Sequence, residues 1–150
     1  MKKRTAWGMC AAWMAVIFWM SSMPGEVSGA QSSMLVRLLV RFLSAVLGHG
    51  MTEQLPLAAI ELALRKAAHM AEYAVLGLLF QHALRCSGAR RACLWAVVLS
   101  AAYATTDELH QYFIPLRTAS LMDVLIDTLS ASLACALDSL RLRRKAKKAA

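Results

Sequence analysis

The sequence predicts an all-α integral membrane protein, with four transmembrane helices and an amphipathic interfacial helix between the first and the second. Three observations predict this fold class. The 150 residues are 59% apolar, with a mean hydropathy of +0.49. Only 17% of the residues are charged. The charges form short blocks between long apolar stretches, as they do in chains whose solvent is a bilayer.

Four apolar segments are long enough to cross a hydrocarbon core about 30 Å thick as helices. They cover about residues 5–23, 67–84, 92–109 and 120–140. An alternative interpretation of the first segment stays open. Its basic start, its apolar run and the small residues before Gln31 also fit a secretory signal peptide cleaved after Ala30.

Residues 32–47 are predicted to form the interfacial helix. Leucines recur there at helical spacing, while Arg37 and Arg41 lie four residues apart on another side. A helix with one apolar and one basic face lies in the plane of the membrane surface. A packed connector helix is the alternative. A break is predicted over residues 48–56, with the next helix starting near Pro56.

The basic residues predict the orientation of the four helices, because short loops rich in lysine and arginine stay in the cytoplasm. One side of the predicted topology carries twelve cations, at the N-terminus, in the 85–91 turn and in the basic tail 141–150, and the other carries five. Both termini are therefore predicted to be cytoplasmic. The net charge of +8 follows from these flanking blocks, so no nucleic-acid partner is predicted.

Ionisable residues inside apolar segments are costly and commonly functional. In the predicted topology, three groups of them reach the same depth at the outer side. They lie at the start of the second span, the end of the third and the start of the fourth. The residues are Lys66, His69 and Glu72, then Asp107, Glu108, His110 and Gln111, then Asp123 and Asp127.

The charge balance of this group indicates a functional site. Its five carboxyl groups face three fixed cations, Arg65, Lys66 and Arg117. Five ionised carboxyl groups in a low-dielectric site would leave an excess of negative charge beside three cations. A protonated histidine, a shared proton or a divalent cation would balance this excess. Mg²⁺ or Ca²⁺ would take oxygen ligands, for which Asp107, Glu108 and Asp123 are the candidates. The alternative is a set of polar helix ends without a joint function.

Two stretches of the sequence resemble the VanZ-like family of bacterial membrane proteins. They are RKAAHMAEYAVLGLL over 65–79 and YATTDELHQYFIPLRTASLMDVLIDTLSASLA over 103–134. The resemblance implies one VanZ-like transmembrane domain over 1–150. The chain departs from the family pattern where Asp127 replaces an asparagine, Leu116 replaces a frequent glycine, and Ser130 and Ala134 replace small glycines.

Two classes of function stay open at the sequence level. An enzyme acting on lipid head groups or lipid-linked cell-wall precursors would use His69 or His110 as general base or nucleophile, with Glu72 orienting or protonating its histidine. Lys66 and Arg117 would hold a phosphate. The non-enzymatic alternative is a binder of a lipid-linked precursor or an antibiotic, or a small transporter. The resemblance also implies an association with glycopeptide (teicoplanin-type) resistance.

The candidate residues divide by predicted role. The candidates for catalysis are His69, Glu72, Asp107, Glu108, His110 and Asp123. The candidates for substrate binding are Lys66, Tyr73, Gln111, Arg117 and Asp127. The predicted partners are membrane lipids and a lipid-linked precursor, and the sequence leaves the oligomeric state open.

Overall fold

The computed structural model describes residues 2–47 and 56–149, and the regular structure in these ranges is helical. The all-α prediction is therefore confirmed for the described residues. Most of the predicted break over 48–56 lies outside them. The five helices are α1 Lys3–Ser21, α2 Gly25–Leu47, α3 Leu57–Cys86, α4 Ala92–Gln111 and α5 Leu121–Ala149.

The membrane placement of these helices stays a prediction. By length and apolar composition, no single helix in the described ranges qualifies as a membrane span. The helices α1 and α2 qualify only as a pair, over Lys3–Ser21 and Gly25–Phe42, and this pair bends by 94° at its break. The count of four spans is therefore not confirmed.

Two helix boundaries differ from the sequence-based expectation. The helix predicted over 32–47 begins seven residues earlier, at Gly25, so Ala30 lies within α2. The backbone N–H of Gly25 donates to the carbonyl of Pro115 at 3.1 Å, a tertiary contact that fixes this start and that no local pattern reveals. The basic tail is helical as far as Ala149. Its arginines, lysines and alanines are all good helix formers.

The helix α3 lies at the centre of the bundle and contacts each of the other four helices. Tyr73 and Leu76 of α3 are fully buried, and Phe80 is nearly so. The face of α4 that packs inward carries small residues at four-residue spacing, which lets the helix axes approach closely. These buried residues of α4 are Ala96, Ser100 and Ala104.

A close contact joins α3 and α5 at Gly77. A Cβ atom at this glycine would lie 3.0 Å from the Cβ of Ala131 and 3.1 Å from its Cα. Real Cβ contacts are rarely this short, so a side chain at 77 forces α3 and α5 apart. The ion pair between Lys66 and Asp123 joins the same two helices.

We expect Gly77→Ala to lower the free energy of unfolding by about 1–3 kcal/mol, since it overpacks a tight helix crossing. Gly8→Ala is the matched control, because no heavy atom lies within 4 Å of a Cβ built there. Alanine is the better helix former, so Gly8→Ala should leave stability unchanged or raise it by up to about 1 kcal/mol. Thermal melts in detergent measure both. Equal melting temperatures would contradict the close crossing.

The junction between α1 and α2 packs against the loop that precedes α5. A Cβ at Gly25 would lie 2.1 Å from the carbonyl oxygen of Leu116, so only glycine fits there without a shift of the backbone. Leu116 itself has a φ of 58°, in the left-handed region. This docking places the C-terminal end of α1 beside the end of α4 and the start of α5, where the candidate residues converge.

Candidate functional site

A polar cavity opens where α3 and α5 begin and α4 ends. Its water-accessible volume is about 120 Å³, which is room for several water molecules or a small anionic group. Seven of the eleven candidate residues line it. The residues of the polar cavity are Leu62, Arg65, Lys66, His69, Glu108, Gln111, Leu116, Arg117, Thr118, Asp123, Ile126 and Asp127.

Two of the acidic residues in this cavity fasten the start of α5. Lys66 of α3 forms an ion pair with Asp123 in the first turn of α5. Glu108 of α4 accepts a hydrogen bond from the backbone N–H of Ser120 at 2.8 Å, just before α5 begins. A carboxylate is favourable there because the first N–H groups of a helix lack partners within the helix. Both acids therefore have a clear structural role.

His69 and Glu72 form a histidine–carboxylate pair on α3. The Nδ1 atom of His69 lies 3.5 Å from Oε2 of Glu72, one helical turn away. Glu72 is buried, and its Oε2 accepts no well-aligned hydrogen bond from any described residue. A carboxylate beside Nδ1 favours the imidazole with its proton on that nitrogen, which leaves Nε2 able to accept a proton. The pair can therefore act as an oriented general base.

Arg117 joins the end of α1 to α4. Its Nε donates to the carbonyl of Met23 at 3.2 Å, its Nη2 to that of Met20 at 3.4 Å, and its Nη1 to Oε1 of Gln111 at 3.3 Å. Burial, and then the positive charge of Arg65, lower the pKa of the Arg117 guanidinium, although nearby carboxyl groups raise it. An arginine stays protonated in this setting. Arg117 therefore fastens the fold as well as lining the cavity.

A second cavity, the side cavity, lies between α1, α2 and α3. Its volume is about 200 Å³, and most of its lining is apolar. It shares Arg65, His69 and Arg117 with the polar cavity, so these three residues stand between the two. The other residues of the side cavity are Trp19, Met20, Met23, Ser32, Leu35, Leu64, Ala68 and Glu72.

Arg65 is a site residue that the sequence interpretation counted only as a nearby cation. Its Nε is buried and donates to no described residue, and Arg65 takes part in no ion pair within residues 2–47 and 56–149. One signal was visible in the sequence, since Arg65 directly precedes Lys66 in the quoted motif. The absence of a partner is visible only in three dimensions.

Asp107 lies behind the cavity wall and lines neither cavity. Its Oδ2 accepts hydrogen bonds from Oγ of Ser21 at 2.9 Å and from Nε2 of Gln111 at 3.1 Å. Gln111 in turn accepts from Arg117. Asp107 is buried, and its Oδ1 has no hydrogen-bond partner among the described residues. The arrangement links the end of α1 to the polar cavity through Gln111.

Two candidates lie away from both cavities. The ring of His110 stacks on Phe18 with centroids 4.4 Å apart, and its Nε2 lies 3.0 Å from Oγ of Ser22. Tyr73 is fully buried, 6.3 Å from the ring of Tyr103, and its hydroxyl has no hydrogen-bond partner among the described residues. The expected meeting of His110 with His69 around one cavity is therefore wrong, because His110 faces α1.

A divalent cation, one of the three options for balancing the carboxyl groups, finds no ligand set in the described ranges. No group of three or more histidine, cysteine, aspartate or glutamate side chains there is placed to hold a metal ion. Of the three candidates, Glu108 and Asp123 are engaged with Ser120 and Lys66, and Asp107 lies outside the cavity lining. These residues do not fit a bound Mg²⁺ or Ca²⁺ in this arrangement.

Comparison with protein-family models gives a match to the model described as VanZ/LLP1 over residues 6–141. This range covers most of the chain and contains every candidate residue. The chain belongs to the VanZ/LLP1 family. The comparisons with curated proteins and with solved structures found no match.

The structure shows the conformation or the contacts of three residues at which this VanZ/LLP1 chain departs from the VanZ-like pattern. Leu116 stands where a glycine is frequent, and its φ of 58° is the conformation that glycine adopts at no steric cost. Ser130, in place of a small glycine, donates its hydroxyl to the carbonyl of Met70 at 2.6 Å. Asp127, in place of an asparagine, is buried in the polar cavity lining and adds a carboxyl group to it.

Proposed function

We propose that this chain spans a bacterial membrane with four helices, α1, α3, α4 and α5, and that α2 lies at the surface. The supporting observation is an inverted distribution of polarity. Glu72, Gln81, Asp107 and Asp127 are buried, whereas large apolar side chains are exposed along the helices. Soluble monomers rarely expose contiguous apolar patches of more than a few hundred Å². The exposed residues include Leu94, Trp95, Val98, Leu125, Leu129, Leu133 and Leu137.

The proposed orientation places both termini in the cytoplasm and the polar cavity at the outer surface. The excess of arginine and lysine at the N-terminus, the 85–91 turn and the tail supports it. The 94° bend between α1 and α2 supports an interfacial α2, because a helix that turns away from a span by a right angle can lie in the membrane plane.

We expect opposite labelling of two exposed alanines changed to cysteine, in a chain whose four native cysteines are replaced by alanine. Ala119→Cys lies in the loop before α5 and should react with a membrane-impermeant maleimide in intact cells. Ala146→Cys lies in the basic tail and should react only in inverted vesicles. Reaction of Ala146→Cys in intact cells would contradict the orientation.

The function that the site supports best is the binding and processing of a phosphate-bearing lipid head group. The observation that carries it is that Arg65, whose buried Nε has no hydrogen-bond partner among the described residues, and His69, paired with Glu72, line the same polar cavity. Guanidinium groups match phosphate oxygens in geometry and charge. At the outer end of the helices, this cavity would lie at the depth of head groups and of lipid-linked cell-wall precursors.

The reaction class that fits is hydrolysis of a head-group phosphoester. Nε2 of His69 would accept a proton from water while the water oxygen bonds to phosphorus. The ester P–O bond would break, and the leaving alkoxide would take a proton from the imidazolium. Arg65 would stabilise the negative charge on the phosphoryl oxygens, and Glu72 would stabilise the positive imidazolium. General base catalysis of this kind typically contributes about 10²–10⁴-fold in rate.

A non-enzymatic binder is the second candidate, and a specific observation favours it. Four charged residues of the polar cavity already form contacts between helices or between a helix and a loop, which leaves few free groups for chemistry. They are Lys66, Glu108, Asp123 and Arg117. Such a site could hold a lipid phosphate without changing it. The association with glycopeptide resistance rests on the family resemblance alone and stays a prediction.

The deciding experiment is incubation of purified protein with a panel of membrane phospholipids and polyprenyl phosphates, followed by mass spectrometry of the lipids. An enzyme releases a head group or phosphate at a rate proportional to protein concentration, and His69→Ala does not. A binder retains a lipid through gel filtration and leaves its mass unchanged. Neither product nor retained lipid, from any member of the panel, would refute the proposed function.

A further inference from the structure

The side cavity is an apolar space that the head-group chemistry does not use. Trp19 and Met20 of α1, Leu35 of α2, and Leu64 and Ala68 of α3 supply most of its lining. At about 200 Å³ it is smaller than the pockets that hold drug-sized ligands, which range over about 300–1,000 Å³. Its size therefore fits part of a narrow chain better than a whole compact molecule.

The side cavity is continuous with the surface that would face lipid. Trp19 is 63% exposed and Leu35 is 55% exposed, although both line the cavity. The break at residues 22–24 separates α1 from α2 just beside them. An apolar chain in the surrounding bilayer can therefore reach the cavity sideways, between α1 and α2, without passing through water.

The two arginines that line the side cavity, Arg65 and Arg117, form no ion pair with any residue in the part of the chain that the structure describes. Burial, and then the positive charge of Arg65, lower the pKa of the Arg117 guanidinium, although nearby carboxyl groups raise it. The buried Nε of Arg65 donates to no described residue. A buried donor on a cation without a partner is costly, so this position favours an anionic oxygen from outside the chain.

We propose that the side cavity holds the first part of an acyl chain of an anionic phospholipid, whose phosphate lies against Arg65 at the junction with the polar cavity. This inference rests on the proposed function and names its substrate class. The phosphate then lies beside His69, and the head group beyond it extends into the polar cavity. An unbranched chain suits the small volume better than a polyprenyl chain, which carries a methyl branch on every isoprene unit.

The test measures binding of a series of alkyl phosphates, from ethyl to octyl phosphate, to the protein in nanodiscs of a zwitterionic lipid. Each added methylene that enters an apolar cavity should tighten binding about fourfold, until the cavity is full. Ala68→Phe should flatten this dependence on chain length, because the larger side chain fills the cavity. Leu64→Ala enlarges the cavity and should move the plateau to a longer chain.

Ala71→Phe is the matched control, because Ala71 lies on the same helix, is exposed and lines neither cavity. It should keep the wild-type dependence on chain length, and this separates cavity binding from partition into the bilayer. The same slope in wild type, Ala68→Phe and Ala71→Phe would overturn the inference. Tighter binding of farnesyl phosphate than of dodecyl phosphate would also overturn it. No binding of ethyl phosphate to the wild type would refute the proposed function itself.

Discussion

His69→Ala is expected to reduce head-group turnover by about 10²–10⁴-fold while the thermal melt stays unchanged. The side chain lines both cavities, and its described polar contact is the 3.5 Å approach of Nδ1 to Glu72. Its loss therefore removes the proposed base without breaking a helix contact. Glu72→Gln should also reduce turnover, because an amide at this position no longer stabilises the imidazolium.

The stability of Glu72→Gln distinguishes a working site from a structural one. Oε2 of Glu72 has no hydrogen-bond partner among the described residues, so a neutral amide relieves the burial of a charge. We expect an unchanged or higher melting temperature with lost turnover, the mark of a site that trades stability for function. An earlier melt, with activity lost only in proportion to unfolding, would contradict the assignment. His82→Ala, exposed toward the other end of α3, is the control and should change neither quantity.

The sequence predicted five helical segments, and it predicted that the start of α3, the end of α4 and the start of α5 lie at one end of the bundle. Residues 85–91 combine arginines with Gly88, and the structure ends α3 at Cys86 and begins α4 at Ala92. Consecutive helices joined by short turns run antiparallel. The start of α3, the end of α4 and the start of α5 therefore had to meet, and the cavity lies there.

The rotation of each helix about its axis was not predictable from the pattern of residues. Helix α4 carries apolar residues on all of its faces, so polarity does not tell which face packs inward. Adjacent residues differ by about 100° around a helix. His110 consequently faces Phe18 of α1, whereas Gln111 lines the polar cavity. Asp107, His110 and Gln111 are spaced as residues on one helix face are, at i, i+3 and i+4, but the packing directs them to different neighbours.

The roles of the charged residues depended on partners that are distant in sequence. Glu108 accepts a hydrogen bond from the backbone N–H of Ser120, and Arg117 donates hydrogen bonds to the carbonyls of Met20 and Met23. Ser21 proved to donate to Asp107 across 86 residues of sequence. Local spacing cannot reveal such pairs. Charged residues that stabilise the fold therefore cannot be distinguished in the sequence from charged residues that bind a substrate.

Arg65 and Arg117 should give opposite results when each is changed to glutamine. Arg117→Gln removes three hydrogen bonds, to the carbonyls of Met20 and Met23 and to Oε1 of Gln111, although the carbonyl of Met20 still accepts from the backbone N–H of Met23. Hydrogen bonds to charged groups contribute about 1.5–3 kcal/mol each before screening by solvent, so we expect the free energy of unfolding to fall by roughly 2–4 kcal/mol in total. Arg117→Lys should not restore it, since one ammonium cannot reach three acceptors in a fork.

Arg65→Gln should leave the thermal melt unchanged or raise it, because the buried Nε of Arg65 has no described partner to lose and the repulsion with Arg117 disappears. The same change should weaken binding of ethyl phosphate by about 10–100-fold, equivalent to roughly 1.4–2.8 kcal/mol. Thermal melts and phosphate titrations of both variants measure the contrast. An early melt for Arg65→Gln with normal phosphate binding would show that Arg65 fastens the fold. The anion site would then have to be sought elsewhere in the polar cavity.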